Sequence, residues 1–184
     1  MEIQIDVLKA MLLFAAKDDV RTYLNAIYVE AGPKGARLTA TDGHVLACYQ
    51  LDEDAHGVLD AVIPRELIER ALKVSPKRLT HLSLSIQDGQ ARLGELTSPL
   101  INSPYPHYRK VIPKSVNGTP GQYDPELLVR FSKAVKILNG EYTTLAYNGP
   151  ESAAWVSINI PQFFGVIMPI RNPETPTLPT WLAE

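Results

Sequence analysis

An apolar pair returns along the chain at a fixed step: Val7-Leu8, Leu67-Ile68 and Leu127-Leu128, each sixty residues after the last. Each pair opens a stretch with helical periodicity, follows a short strand-like segment and precedes three more. The chain therefore reads as one β-α-β-β-β unit written three times, and a repeat of this length dictates architecture before any local detail does. The expected class is α+β, with helices on one side and antiparallel sheets on the other. Three is an odd number. Units that share sheets in pairs leave the third without a partner, and its open edge is then a place for association.

Within unit one, Glu2–Ile5 reads as a strand and Val7 to Lys17 as a helix capped by Asp6. Strands follow at Tyr23–Ala31, Arg37–Thr41 and His44–Leu51, separated by Gly32-Pro33-Lys34-Gly35 and Asp42-Gly43. Unit two runs from a strand at Leu59–Ile63 through Pro64, which suits a first helical turn, to strands at Leu79–Ile86 and Gln90–Thr97 around Asp88-Gly89. A further strand near Leu100 leads into a proline-rich junction, Ser103–Pro113. Unit three begins near Gly121–Tyr123. Asp124 caps its helix, Pro125 occupies the first turn and Asn139-Gly140 ends it, with strands at Thr143–Tyr147, Ala154–Ile160 and Phe164–Pro169. The residues from 172 to 184 carry Pro173, Pro176 and Pro179 and read as an extended tail, whose Leu178, Trp181 and Leu182 would dock in a neighbour's cleft, cover a sheet edge or stay disordered.

Composition excludes several classes. Net charge is −2, so the whole molecule is not a basic nucleic-acid binder and any such contact must come from a local patch. A single cysteine, Cys48, rules out an intrachain disulfide framework and an all-cysteine zinc site, which suits a reducing cytoplasm. The apolar run Ala10–Ala16 is too short to span a bilayer and follows Glu2 and Asp6 rather than a basic stretch, so it reads as helix and not as a signal peptide. His56, His81 and His107 lack metal-ligand spacing, so neither metal nor cofactor is expected. Asp42, His44 and Cys48 lie close in sequence, but no oxyanion-hole signature or glycine-rich phosphate loop accompanies them. The expectation is a protein without catalytic residues.

The positive charge is not scattered. Helix two and its exit carry Arg65, Arg70, Lys73, Lys77 and Arg78 against Glu66 and Glu69, and helix three carries Arg130, Lys133 and Lys136 against Asp124 and Glu126. The acids sit in first turns, where the helix dipole favours them. Side by side, the two basic faces would form one surface suited to phosphate contact without base reading. No aromatic residues interleave these cations, which argues against a single-strand stacking platform.

Four segments, in order, resemble the bacterial DNA polymerase III beta subunit family, the sliding clamps. They are TATDGHVLA at Thr39–Ala47, DVRTYLNAI at Asp19–Ile27, YPHYRKVIP at Tyr105–Pro113 and VIMPIR at Val166–Arg171. The resemblance covers residues 1–171, with 1–104 similar to a complete clamp domain of two units and 105–171 similar to half of one. It implies a ring with helices inside and sheets outside that encloses duplex DNA, tethers polymerase and has no catalytic activity. A family ring holds twelve units, so three units per chain imply a homotetramer.

The resemblance also implies a hydrophobic cleft for short linear peptides of polymerase, clamp loader and repair factors. One wall matches Leu24, Thr41, Gly43, His44, Val45 and Leu46, and the other Pro106, Lys110, Val111, Val166, Met168, Pro169, Ile170 and Arg171. Val45 stands where the family often has arginine and Ile170 where it often has methionine; both suit an apolar groove. Arg21 and Tyr23 resemble a loop that touches DNA beyond the ring, and Arg70, Lys73, Lys77, Arg130, Lys133 and Lys136 match the lining that meets the phosphate backbone. The expected function is a cytoplasmic replication processivity factor. The rival is a clamp-like decoy or adaptor that binds the same peptides without forming a ring.

Overall fold

The sixty-residue repeat corresponds to three structural units. The computed structural model describes residues 1–33, 35–51, 59–171, 174 and 176–182. Lys34 of the first turn, His56, and Asn172, Pro173, Thr175, Ala183 and Glu184 of the tail lie outside the described residues.

Unit one comprises β1 (Glu2–Gln4), α1 (Ile5–Leu12), β2 (Ala26–Gly32), β3 (Gly35–Thr41) and β4 (Val45–Gln50). Unit two comprises β5 (Leu59–Pro64), α2 (Arg65–Val74), β6 (His81–Gln87), β7 (Gln90–Leu93) and β8 (Leu96–Pro99). Unit three comprises α3 (Pro125–Leu138), β9 (Thr144–Ala146), β10 (Ala154–Ser157) and β11 (Phe163–Ile167). All described pairings are antiparallel. They make a four-stranded sheet in the order β1-β6-β7-β8 and a seven-stranded sheet in the order β5-β2-β3-β4-β11-β10-β9.

Units one and two exchange their first strands: β1 joins unit two's sheet beside β6, and β5 joins unit one's sheet beside β2. Units one and three are then fused edge to edge, β4 against β11, with Leu46 opposite Val166 and Val45 opposite Ile167. The helices pack on one side, α1 between α2 and α3. Beneath them Val7, Leu8, Met11, Leu67, Ile68 and Phe131 meet the inner faces of both sheets. Phe14, Phe131 and Phe163 form an aromatic cluster joining the turn after α1 to α3 and β11, with centroids 4.9 Å to 6.4 Å apart. Gly165 makes room for it, since a Cβ there would stand 2.5 Å from Cε1 of Phe131.

The expected elements differ from the observed ones where a tertiary bond overrides a local signal. Asp6 does not cap α1. The helix starts at Ile5, whose N–H is taken by the Thr80 carbonyl at 2.8 Å, and Asp6 pairs with Lys9 instead. The first helix is shorter than expected, ending at Leu12 rather than Lys17. Pro64 ends β5, and α2 begins one residue later. Thr22–Leu24 is a 3-10 turn rather than the start of β2. The expected strand Gln90–Thr97 is a hairpin, because Gly94 takes a left-handed φ of 58° and turns the chain back at Leu96. The fourth strand of unit two is therefore Leu96–Pro99 and not a segment near Leu100. Gly121–Tyr123 joins no ladder among the described residues. Helix three follows its signals closely: Asp124 Oδ1 accepts from Glu126 N at 2.8 Å, Pro125 is the first residue, and Asn139 closes the end in the left-handed region.

Candidate functional site

The turn Thr41-Asp42-Gly43-His44 joins β3 to β4 and is built almost entirely from its own side chains. Asp42 Oδ1 accepts from the amides of His44 (2.8 Å) and Val45 (3.0 Å). Thr41 Oγ1 accepts from Gly43 N at 3.1 Å and donates to Val45 O at 2.6 Å. Gly43 sits at φ 96°, a conformation glycine adopts without strain. Across the junction, Met168 N donates to His44 O at 2.9 Å, so the segment after β11 is fastened to the turn.

A strap formed by the junction Ser103–Pro113 crosses the outer face of the seven-stranded sheet. Tyr105 stacks on Tyr28 with centroids 4.6 Å apart, and Tyr108 is buried among Leu46, Val166 and Ala153. The Tyr108 hydroxyl donates to Glu30 Oε2 at 3.0 Å, while Arg109 pairs with Glu30 and lies over the Tyr108 ring at 4.6 Å. Trp155 Nε1 donates to Pro113 O at 3.1 Å and closes the far end. Burial raises the phenol pKa values of Tyr28 and Tyr105, so both rings stay neutral.

Turn, strap and the end of β11 enclose a cavity of about 360 Å³. Of the residues expected in a peptide cleft, Leu24, Thr41, Gly43, His44, Val45, Leu46, Pro106, Val111, Val166 and Met168 line it. Pro169, Ile170 and Arg171 line an adjoining depression that shares Gly43, His44 and Met168 with the first. Lys110 lines neither. His107 and Tyr108 also line the cavity; their signal was an aromatic pair, Tyr105 and Tyr108, inside a proline-rich junction. Arg21 and Tyr23, expected to reach DNA, also line the cavity. Arg21 is tied to Asp19 by two side-chain bonds of 2.9 Å and 3.0 Å, which hold that carboxyl down at about 2.

The helix side divides the expected cations into two groups. Arg70, Lys73 and Lys77 of unit two and Lys133 and Lys136 of unit three are exposed, and none enters an ion pair among the described residues. Arg130 is instead half-buried and pairs with Asp42 Oδ2 at 2.5 Å. Arg65 is also turned inward: its guanidinium donates to Leu12 O at the end of α1, to Ala15 O in the turn beyond it and to Glu69. Among the described residues no cluster of three or more His, Cys, Asp or Glu is placed to hold a metal ion, and no helix is long and apolar enough to cross a membrane. Cys48 lies against Thr39 on the strap side, and burial pushes its thiol up to about 11, far from a nucleophile's range.

A fold of strand-exchanged β-α-β-β-β units, helices on one face and sheets on the other, with an apolar cleft where two units fuse, defines the DNA-clamp class. The family model for the DNA polymerase III beta subunit, central domain, matches residues 3–107, more than half of the chain. The chain therefore belongs to the DNA polymerase III beta subunit family. The beta sliding clamp of Proteus mirabilis is 31% identical over 156 residues, covering 80% of this chain and 42% of the relative. Among solved structures, the sliding clamp from Caulobacter crescentus superposes with a TM-score of 0.74 at 18% identity, over 93% of this chain and 65% of that one. The DNA polymerase III subunit beta from Pseudomonas aeruginosa gives 0.72, also at 18% identity, over 93% and 66%. These structural matches speak for the fold. The chain spans less than half the length of the curated relatives it matches.

Proposed function

We propose that this protein is a sliding clamp. Several copies close into a ring around duplex DNA, and the cleft between turn and strap tethers polymerase, clamp loader and other factors by short linear peptides. One observation carries the DNA half of this reading: α2 and α3, flanking α1 on one side of the molecule, both expose unpaired cations while the chain as a whole is acidic. Arg70, Lys73, Lys77, Lys133 and Lys136 would meet phosphates without reading bases. The cleft, lined by Leu24, Val45, Leu46, Val111, Val166 and Met168, suits apolar peptide anchors, and a flexible methionine suits several partners. The action is non-catalytic and cytoplasmic. Asp42 is engaged with two amides and Arg130, and Cys48 is held as a neutral thiol, so the group that most resembles a catalytic set supports a structural role.

In this reading residues 1–104 form a complete clamp domain, residues 105–171 half of one, and a ring of twelve units takes four copies of the three-unit chain. Loading on nicked circular DNA, followed by cutting of the circle, tests encirclement. Retention on the circle with release on cutting is expected; retention after cutting, or none before, refutes the ring. The decoy reading has its own support, since residues of both walls of the cleft come from one chain. A chain that binds clamp-binding peptides as a monomer at every concentration would favour it.

A further inference from the structure

The strand exchange between units one and two obeys a two-fold relation. Gln4, immediately before α1, lies opposite His81, which opens β6; Pro64, immediately before α2, lies opposite Ala26, which opens β2. The first amide of each helix repeats the relation: Ile5 N donates to Thr80 O at 2.8 Å, and Arg65 N to Asn25 O at 3.0 Å.

Unit three has both halves of this device and completes neither among the described residues. Its lead-in, Gly121–Tyr123, joins no ladder, and β9 is an edge strand paired with β10 alone. The lead-in is nevertheless fastened as β5 is. Val62 O accepts from Ile101 N at 3.0 Å, and its counterpart sixty residues on, Gln122 O, accepts from Ile170 N at 2.8 Å. Ile101 and Ile170 each follow the last strand of their unit. The edge on which β5 carries β2 has no strand at Gly121–Tyr123. Upstream the chain turns back, with Gly118 N donating to Tyr147 O (2.9 Å) and Gly149 N to Thr119 O (2.8 Å), but these bonds lie beyond the three residues of β9. The helix is equally unfinished. α1 buries Ile5, Val7, Leu8, Ala10 and Met11, whereas the longer α3 buries only Phe131 and Ala134 and leaves Val129 46% exposed.

We propose that a second copy of this chain completes unit three through a reciprocal exchange between two unit threes. Transferring the register of the first two units sets Asp124 of one copy opposite Thr144 of the other, Tyr123 opposite Leu145 and Gln122 opposite Ala146, with α3 beside α3. The contact is between like units because units one and two satisfy each other within every chain and unit three is the one left over. Two identical half-domains facing each other make a two-fold interface. The inference deepens the ring reading and rests on it for the remaining contact, for which the outer edge of β8 has no partner strand among the described residues.

Cysteines at the predicted Gln122–Ala146 pair test the register. Opposed residues of an antiparallel pair have Cα atoms roughly 4.5–5.5 Å apart, within disulfide range. In the full chain carrying Cys48→Ala, mild oxidation of Gln122→Cys with Ala146→Cys is expected to give a reductant-sensitive covalent dimer, and either single cysteine far less. An intrachain disulfide that leaves monomers, or no crosslink while light scattering still reports oligomers, overturns the exchange and leaves the ring standing. A crosslinked dimer that is not retained on nicked circles upholds the exchange and defeats the ring. The unaltered chain supplies a second readout: hydrogen exchange at the amides of residues 144–146 should slow by roughly tenfold or more as the chain associates. Unchanged exchange across that transition overturns the proposal.

Discussion

Replacing Arg65 by methionine separates a structural cation from the exposed ones proposed to face DNA. By sequence Arg65 belongs with the basic face of helix two. In the fold its Nη1 donates to Leu12 O at 2.8 Å and Ala15 O at 3.0 Å, its Nε donates to Glu69 Oε1 at 2.7 Å, and its side chain is 17% exposed. Leu12 O is one of the carbonyls a helix end leaves without partners, and Ala15 O lies in the turn that follows α1. A hydrogen bond involving a charged group contributes ~1.5–3 kcal/mol, and the low end applies because water can reach the vacated carbonyls. Two such bonds give ~3 kcal/mol, and the half-exposed partner Glu69 adds no more than ~0.5 kcal/mol. Methionine keeps much of the aliphatic stem, so little cavity cost enters. Urea unfolding of Arg65→Met should show a loss of ~3 kcal/mol with an unchanged m value. The matching fall in Tm for a chain of this size is roughly 5–10 °C. Arg70→Met, at an exposed position, should stay within ~0.5 kcal/mol of the parent. An Arg65→Met loss below ~0.5 kcal/mol, or an equal loss in Arg70→Met, would refute the assignment of Arg65 as the cap of α1.

Other outcomes follow from the same geometry. Charge reversal at Arg70, Lys73, Lys133 and Lys136 together should abolish retention on nicked circles while thermal unfolding stays near that of the parent, since all four are exposed and unpaired among the described residues; a parallel collapse of stability would reassign them to the scaffold. Tyr108→Ala removes a buried ring and its bond to Glu30, costing ~3 kcal/mol, and should weaken binding of an apolar peptide measured by fluorescence anisotropy; intact affinity would remove the strap from the cleft. Gly165→Ala places a Cβ against Phe131 and should cost ~1–3 kcal/mol in chemical denaturation, whereas a neutral result would mean that α3 shifts freely. Cys48 should react with iodoacetamide far more slowly in the folded chain than in urea. Because its folded pKa is raised to about 11, its contribution to stability is full below the unfolded pKa of about 8.5 and is lost as pH rises through about 11. Stability rising over that alkaline window in Cys48→Ala relative to the parent is the expected difference, and parallel pH curves would contradict it.

What the residues disclosed depended on how far each signal acts. Helix three was legible almost to the residue because Asp124, Pro125 and Asn139 work on backbone groups within one turn of themselves. The repeat was legible because apolar spacing survives whatever the units do with one another. Strand exchange was not: nothing in Glu2–Gln4 says that its partner is His81–Ser83 rather than a strand of its own unit. The break at Gly94 was masked by the alternation around it, since both arms of the hairpin keep a strand-like pattern. The sign and spacing of the helix cations were visible, but not which of them are taken, because Arg65 finds its carbonyls about fifty residues back and Arg130 finds Asp42 88 residues away. The cleft was reached through family resemblance and not through periodicity. Its walls come from segments far apart in sequence, and the strap residue Tyr108 looks like any tyrosine until Glu30 is brought beside it.

Asp42 shows why resemblance outran periodicity at this site. A short Thr-Asp-Gly-His string has little physical content as a pattern, yet every atom of its carboxylate is used. Oδ1 holds the amides of His44 and Val45, which shapes the wall of the cleft, and Oδ2 holds Arg130 of α3, which belongs to the helix side. The residue therefore spans the junction between units one and three that β4 and β11 also make. An alanine would free two amides and strand a guanidinium, while asparagine would keep the turn and give up the charge that fixes α3. Glutamate, longer by one carbon, cannot serve the turn and Arg130 from the same backbone position. The string is thus the point at which the fold of the turn, the register of two units and the shape of the cleft impose their demands on one side chain.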